Sequence, residues 1–145
     1  GAVTLGTLDG ANVEIFEQVG EENMFLFGLK AHEVEELWKK GYNPADYCNN
    51  NPQLKAVLNI LTSGELGVAF NDIVNSLLTN NYGVADAYMI MADFADYVRA
   101  QNDVSLAFAN KEKFNKMSLT NIAKAGIFSS DRAINEYAEN IWKMR

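Results

Sequence analysis

Near the start of the chain apolar positions come in short runs, and after residue 30 they recur at helical spacing. Residues 2–5 (AVTL) are apolar and partly β-branched, and they run into Gly6-Thr7-Leu8-Asp9-Gly10, a cluster suited to a tight turn. Val13, Phe16 and Val19 then repeat every third residue, with Glu14 in a first turn and Gly20 where a left-handed C-terminal residue is wanted, so a helix is predicted. Residues 24–27 (MFLF) are continuously apolar, as in a strand covered on both faces. Strand, glycine turn, helix, strand is a βαβ unit. Its right-handed crossover makes the two strands parallel and puts the turn at a carboxyl end.

The remainder reads as mainly helical. Val34, Leu37 and Trp38 share one face of a helix over residues 31–40, with Glu35 and Glu36 four residues ahead of Lys39 and Lys40, and Gly41 closes it. Asn43-Pro44 and Asn51-Pro52 each offer a cap followed by proline at the first helical position. The second start leads into Leu54, Val57, Leu58 and Leu61 before Gly64. Phe70, Ile73, Val74, Leu77 and Leu78 trace an amphipathic helix that ends in a loop marked by Asn80, Asn81 and Gly83. Residues 88–91 read as a short strand or a buried turn ahead of Asp93, which is placed to cap a helix carrying Tyr97, Val98, Leu106 and Phe108. A further helix carries Phe114, Met117 and Ile122 before Gly126. The last starts at Ser130 or Asp131 and lines up Ile134, Tyr137, Ala138, Ile141 and Trp142.

No repeat or composition shift divides the 145 residues, which read as one segment. Two strands against about seven helices do not make a complete doubly wound domain, because so small a sheet leaves too much edge and too little face. The expectation is the tail of a larger parallel-sheet α/β domain. Gly1 is preceded by no Met and residues 2–5 read directly as a strand, so the chain is expected to begin inside a domain.

Composition narrows the function classes. A 48% apolar content is enough for a packed core, and a net charge of −7 with only twelve scattered Lys and Arg argues against nucleic acid or an anionic membrane as partner. Cys48 stands alone, so no internal disulfide can form, and the cytoplasm is the expected compartment. No apolar run approaches the ~18 residues of a membrane helix.

Candidate chemistry is sparse. Glycines 1, 6 and 10 do not fit a dinucleotide fingerprint, and no Gly-Lys-Ser/Thr forms a phosphate loop, so the glycine turn reads first as conformational. Asp9 and Asn12 are expected to accept backbone N–H groups at the start of the first helix, the alternative being that one of them holds the turn facing a site supplied by other segments. His32, the sole histidine, falls in a first helical turn and reads as solvated or capping. With one His and one Cys no nucleophile–base pair or metal set can be built. Glu21-Glu22 and Glu35-Glu36 are sequence neighbours and diverge, unlike a facing acid/base pair. Ser130 or Asp131 is expected to cap the last helix, Arg132 to pair with an acid, and Trp38 and Trp142 to lie in a core. No catalytic, cofactor-binding or metal residue is assigned.

Five blocks resemble the α-glucan phosphorylases, the glycogen, starch and maltodextrin phosphorylase family. They are residues 6–15 (GTLDGANVEI), 20–28 (GEENMFLFG), Gly41-Tyr42-Asn43, residues 92–98 (ADFADYV) and residues 128–142 (FSSDRAINEYAENIW). The resemblance implies the C-terminal part of a Rossmann-like, GT-B type domain. It also implies a parent enzyme, expected to be a homodimer, that uses pyridoxal phosphate and inorganic phosphate to cleave α-1,4-glucans to glucose 1-phosphate. Gly1 resembles the glycine that ends the family's cofactor-lysine motif, which places that lysine and the phosphate-binding groups upstream and leaves this fragment as inactive scaffold. Two other readings stand beside it. One is a non-catalytic binding or self-association module that uses uncovered helix faces; the other, a dinucleotide-binding domain, already lacks its fingerprint.

Overall fold

The computed structural model describes residues 1–79 and 83–144. Among these, two strands pair in parallel: β1 (Leu5–Gly6) lies beside β2 (Phe25–Leu26), with Leu5 opposite Phe25 and Gly6 opposite Leu26. The Phe25 N–H donates to the Thr4 carbonyl at 2.9 Å and the Phe27 N–H to that of Gly6 at 3.2 Å. Both strands are shorter than the apolar runs predict. β1 has one partner strand among the described residues, and residues 2–3 lie outside the ladder.

Between the strands run α1 (Ala11–Val19) and a 3₁₀ turn (Glu21–Asn23), which complete the βαβ unit. Six of the remaining helices are α2 (Ala31–Lys40), α3 (Pro44–Asn50), α4 (Pro52–Ser63), α5 (Asn71–Leu78), α6 (Ile90–Ala109) and α7 (Lys111–Lys124). A second 3₁₀ turn (Ala125–Phe128) then leads to α8 (Ser130–Glu136), which widens into a π turn (Tyr137–Ile141). The Asn-Pro signals hold: Asn43 Oδ1 accepts from Ala45 N–H, and Asn51 Oδ1 accepts from the N–H groups of Gln53 and Leu54. Gly41 closes α2 in the left-handed region, as its position predicts.

The main core gathers Cys48, Leu54, Leu58, Val74 and Met91, so it is built from α3, α4, α5 and the first turn of α6. α6 also covers both strands, and α7 packs on α1 and the first 3₁₀ turn. Asn121 ties that second contact by donating to the Asn23 carbonyl at 2.9 Å. Not every residue on a predicted apolar face is inside. Val57, Ile73, Leu106 and Phe108 are exposed, and Trp38 and Trp142, expected in a core, are 36% and 58% exposed. On the final helical segment Ile134, Tyr137, Ile141 and Trp142 stand in solvent, because within this chain the segment packs chiefly on the preceding 3₁₀ turn and on itself.

Candidate functional site

The carboxyl ends of β1 and β2 open onto a cavity of about 310 Å³ lined by Thr7, Phe27, Tyr88, Ile90, Asp93, Phe94 and Tyr97. Thr7 directly follows β1 and Phe27 directly follows β2. The cavity therefore occupies the place where open parallel α/β sheets bind their ligands.

Its two walls are held by different devices. On the β1 side the glycine turn is closed by side chains: the Thr7 hydroxyl donates to Asp9 Oδ1 at 2.9 Å, and Asn12 Nδ2 donates to the Thr7 carbonyl at 2.9 Å. Asp9 and Asn12 thus brace the turn rather than accept helix N–H groups as expected. Gly10 occupies the cap position and α1 has no side-chain cap. Gly6 is packed so closely that an added Cβ would stand 2.6 Å from Asn12 Nδ2.

On the β2 side two carboxylates of α6 take the first free backbone N–H groups beyond the strand. Asp96 Oδ2 accepts from Gly28 N–H and Asp93 Oδ1 from Leu29 N–H, both at 2.8 Å. Asp96 is held by Arg99, whose Nε donates to it at 2.5 Å and whose Nη2 donates to the Leu26 carbonyl at 3.0 Å. Gly28 has φ +84°, and a Cβ there would lie 2.5 Å from Asp93 Oδ2. Burial raises the pKa of Asp93 against the opposing pull of the Leu29 hydrogen bond, while the Arg99 hydrogen bond lowers that of Asp96.

Asp93 is therefore not the cap of α6. The helix starts three residues earlier, at Ile90, and residues 88–91 form no strand. Its opening N–H groups go instead to Asp86: Ile90 N–H donates to Oδ1 at 2.9 Å and Met91 N–H to Oδ2 at 2.7 Å, while the Tyr42 hydroxyl donates to Oδ2 at 2.6 Å. With three donors this carboxylate is satisfied although it is only 2% exposed. Burial, then the hydrogen bond to Asp86, drives the Tyr42 phenol far above its ordinary value. Asp86 and Met89 both have positive φ, 46° and 59°, and the turn they bound presents Tyr88, 86% exposed, at the cavity. Non-glycine residues in that region concentrate at sites where the backbone is over-determined by its surroundings. Residue type and spacing gave no sign of Asp86 or Tyr88 as site residues; an acid four residues ahead of a helix start is not a regular cap position.

The other candidates separate. His32 is exposed on α2, and Asn80 and Asn81 of the predicted loop lie outside the described residues. Ser130 and Asp131 are exposed and do not cap α8, whose cap position falls on Ser129 without a side-chain bond. Arg132 pairs with Glu136 at 2.5 Å and also donates to the Ile127 carbonyl. Among the described residues no group of three His, Cys, Asp or Glu converges to hold a metal, and no helix is long and apolar enough to cross a membrane.

The class defined by these features is a parallel α/β segment with a crevice at its strand ends. A sequence model of the carbohydrate phosphorylases matches residues 1–144, and the chain belongs to that family. It is similar to glycogen phosphorylase of Synechocystis sp., 47% identical with 100% of this chain covered, and to the human liver and muscle glycogen phosphorylases, 43% and 42% identical with 99% and 98% covered. The chain spans 17% of the length of each of these relatives.

Proposed function

We propose that the chain is the strand-end scaffold of an α-glucan phosphorylase, part of a Rossmann-like domain of GT-B type in a cytoplasmic, homodimeric glycosyltransferase. The parent reaction is phosphorolysis of a terminal α-1,4-glucosidic bond to glucose 1-phosphate. The observation that carries this reading is the braced glycine turn at the carboxyl end of a parallel strand in a chain of the carbohydrate phosphorylase family.

Pyridoxal phosphate, the cofactor the family resemblance implies, does not fit the residues of this chain. Every lysine described is exposed and none lines the strand-end cavity, so no side chain is placed for a Schiff base, and no cation lines the cavity to hold a phosphate. The role left to these residues is to shape one wall of a site whose reactive groups come from other segments. Thr7, Asp9 and Asn12 hold the turn after β1, and Asp93, Asp96 and Arg99 fix the chain after β2.

The test is a chimera in which this chain replaces the matching 17% of the Synechocystis relative. The expected result is release of glucose 1-phosphate from maltodextrin and inorganic phosphate by the chimera and none by the 145-residue chain with pyridoxal phosphate added. A folded, cofactor-loaded chimera without phosphorolysis, or an active isolated chain, overturns the assignment. The exposed Ile134, Tyr137, Ile141 and Trp142 support a second reading, self-association of the isolated chain, which sedimentation tests: a monomer across a wide concentration range refutes it.

A further inference from the structure

A second cavity, of about 540 Å³, lies between the end of α2, the whole of α3 and the first turns of α6, and shares no lining residue with the one at the strand ends. Its size is within the range of small-molecule sites. Two aromatic rings form one wall: Tyr42 and Tyr47 have centroids 5.5 Å apart and are inclined at 58°, and Trp38 meets Tyr42 edge-on at 5.3 Å. The Tyr42 ring cannot turn freely, because its hydroxyl is bound to the buried Asp86.

The polar groups around these rings are incompletely used. Asn43 and Asn51 spend their carbonyl oxygens on helix caps, which immobilises both amides and leaves the Nδ2 donors without a protein partner among the described residues. The Tyr47 hydroxyl and the Asn50 amide, each both donor and acceptor, and the Asp46 carboxylate, an acceptor, likewise make no side-chain hydrogen bond there. No Lys, Arg or His lines the cavity, and the nearby Lys39 and Lys40 are paired with Glu35 and Glu36.

We propose that this groove binds a neutral saccharide. Aromatic rings suit the apolar faces of a pyranose, and donors and acceptors in near balance suit its hydroxyls. The lone carboxylate and the lack of any cation select against a phosphorylated sugar. The groove is argued from its own residues and does not rest on the phosphorolysis reading, so the chimera can fail while this site still binds.

Trp38 supplies the signal. In a Trp142→Phe background the 145-residue chain is titrated with maltopentaose, glucose and glucose 1-phosphate while tryptophan emission is followed. A saturable change with maltopentaose is expected, weakened about tenfold by Asn50→Ala and by Tyr47→Phe, with glucose 1-phosphate bound more weakly than glucose. Asn50 is exposed and Tyr47→Phe keeps the ring, so neither change threatens the fold; circular dichroism checks this. No saturable change, a change that both variants leave unaltered, or a preference for glucose 1-phosphate overturns the proposal.

Discussion

Gly28→Ala tests the wall of the strand-end cavity most directly. At φ +84° an L-residue loses about 1–2 kcal/mol to left-handed strain. The new Cβ would also stand 2.5 Å from Asp93 Oδ2 and 2.8 Å from its Cγ, closer than any real contact allows. Asp93 is buried and bonded at 2.8 Å to Leu29 N–H, so moving its carboxylate breaks a charge-assisted hydrogen bond worth about 1.5–3 kcal/mol. Together these put the loss at about 2.5–5 kcal/mol. Gly41→Ala is the control, since Gly41 has φ +89° and nothing within 4 Å of the added Cβ, which leaves only the strain. Urea denaturation followed by circular dichroism should show Gly28→Ala destabilising by about 1.5–3 kcal/mol more than Gly41→Ala. Combining Gly28→Ala with Asp93→Gly should be less damaging than the sum of the two changes, because the clash disappears with the carboxylate. Equal losses at the two glycines, or strict additivity with Asp93→Gly, would refute the proposed close packing.

Four further outcomes follow from the same contacts. Asp86→Ala strands the Tyr42 hydroxyl and the Ile90 and Met91 N–H groups, so it should destabilise by about 3–5 kcal/mol in the same denaturation assay, far more than a surface change. Tyr42 should ionise only far above its ordinary range, and the 295 nm alkaline titration of Tyr42→Phe should lose only a component that appears with unfolding. Asp93 takes up a proton more readily folded than unfolded, so its contribution to stability falls as pH rises from the ordinary carboxylate value of 3.8 through the raised one; wild type should lose stability relative to Asp93→Asn over that window, while Asp96, shifted the other way, contributes equally to both. Asn51→Ala should remove about 1 kcal/mol by thermal melting, whereas Ser130→Ala and Asp131→Ala, which cap nothing, should change stability by less than about 0.5 kcal/mol.

What the sequence made legible was local. Asn-Pro at 43–44 and 51–52 and glycine at 41 specify helix ends through their own backbone chemistry, so those boundaries could be placed without knowing the fold. The βαβ order was readable for the same reason: each element carries its own period or turn. The start of α6 was not, because it is set by Asp86, whose carboxylate reaches forward to two N–H groups and across 44 residues to Tyr42. Asp93 has the residue type and place of a cap, yet a tertiary partner, Leu29 N–H, 64 residues away in sequence, claims it. The site failed to show for that reason: its walls are carboxylate-to-backbone contacts over long separations, and no spacing rule marks them.

The same anchors define where the two strands end. In a complete doubly wound domain, neighbouring strands fix where each strand ends, and the crevice inherits its geometry from the ladder. Among the described residues β1 and β2 share two paired positions, too few by themselves to hold the following turns in register. The position of the chain after β2 therefore rests on α6, through Asp93, Asp96 and Arg99, and the position of the chain after β1 rests on the Thr7–Asp9–Asn12 brace. Each set joins a strand end to a helix. Loss of either set should deform the cavity before it unfolds the distant core around Leu54 and Leu58.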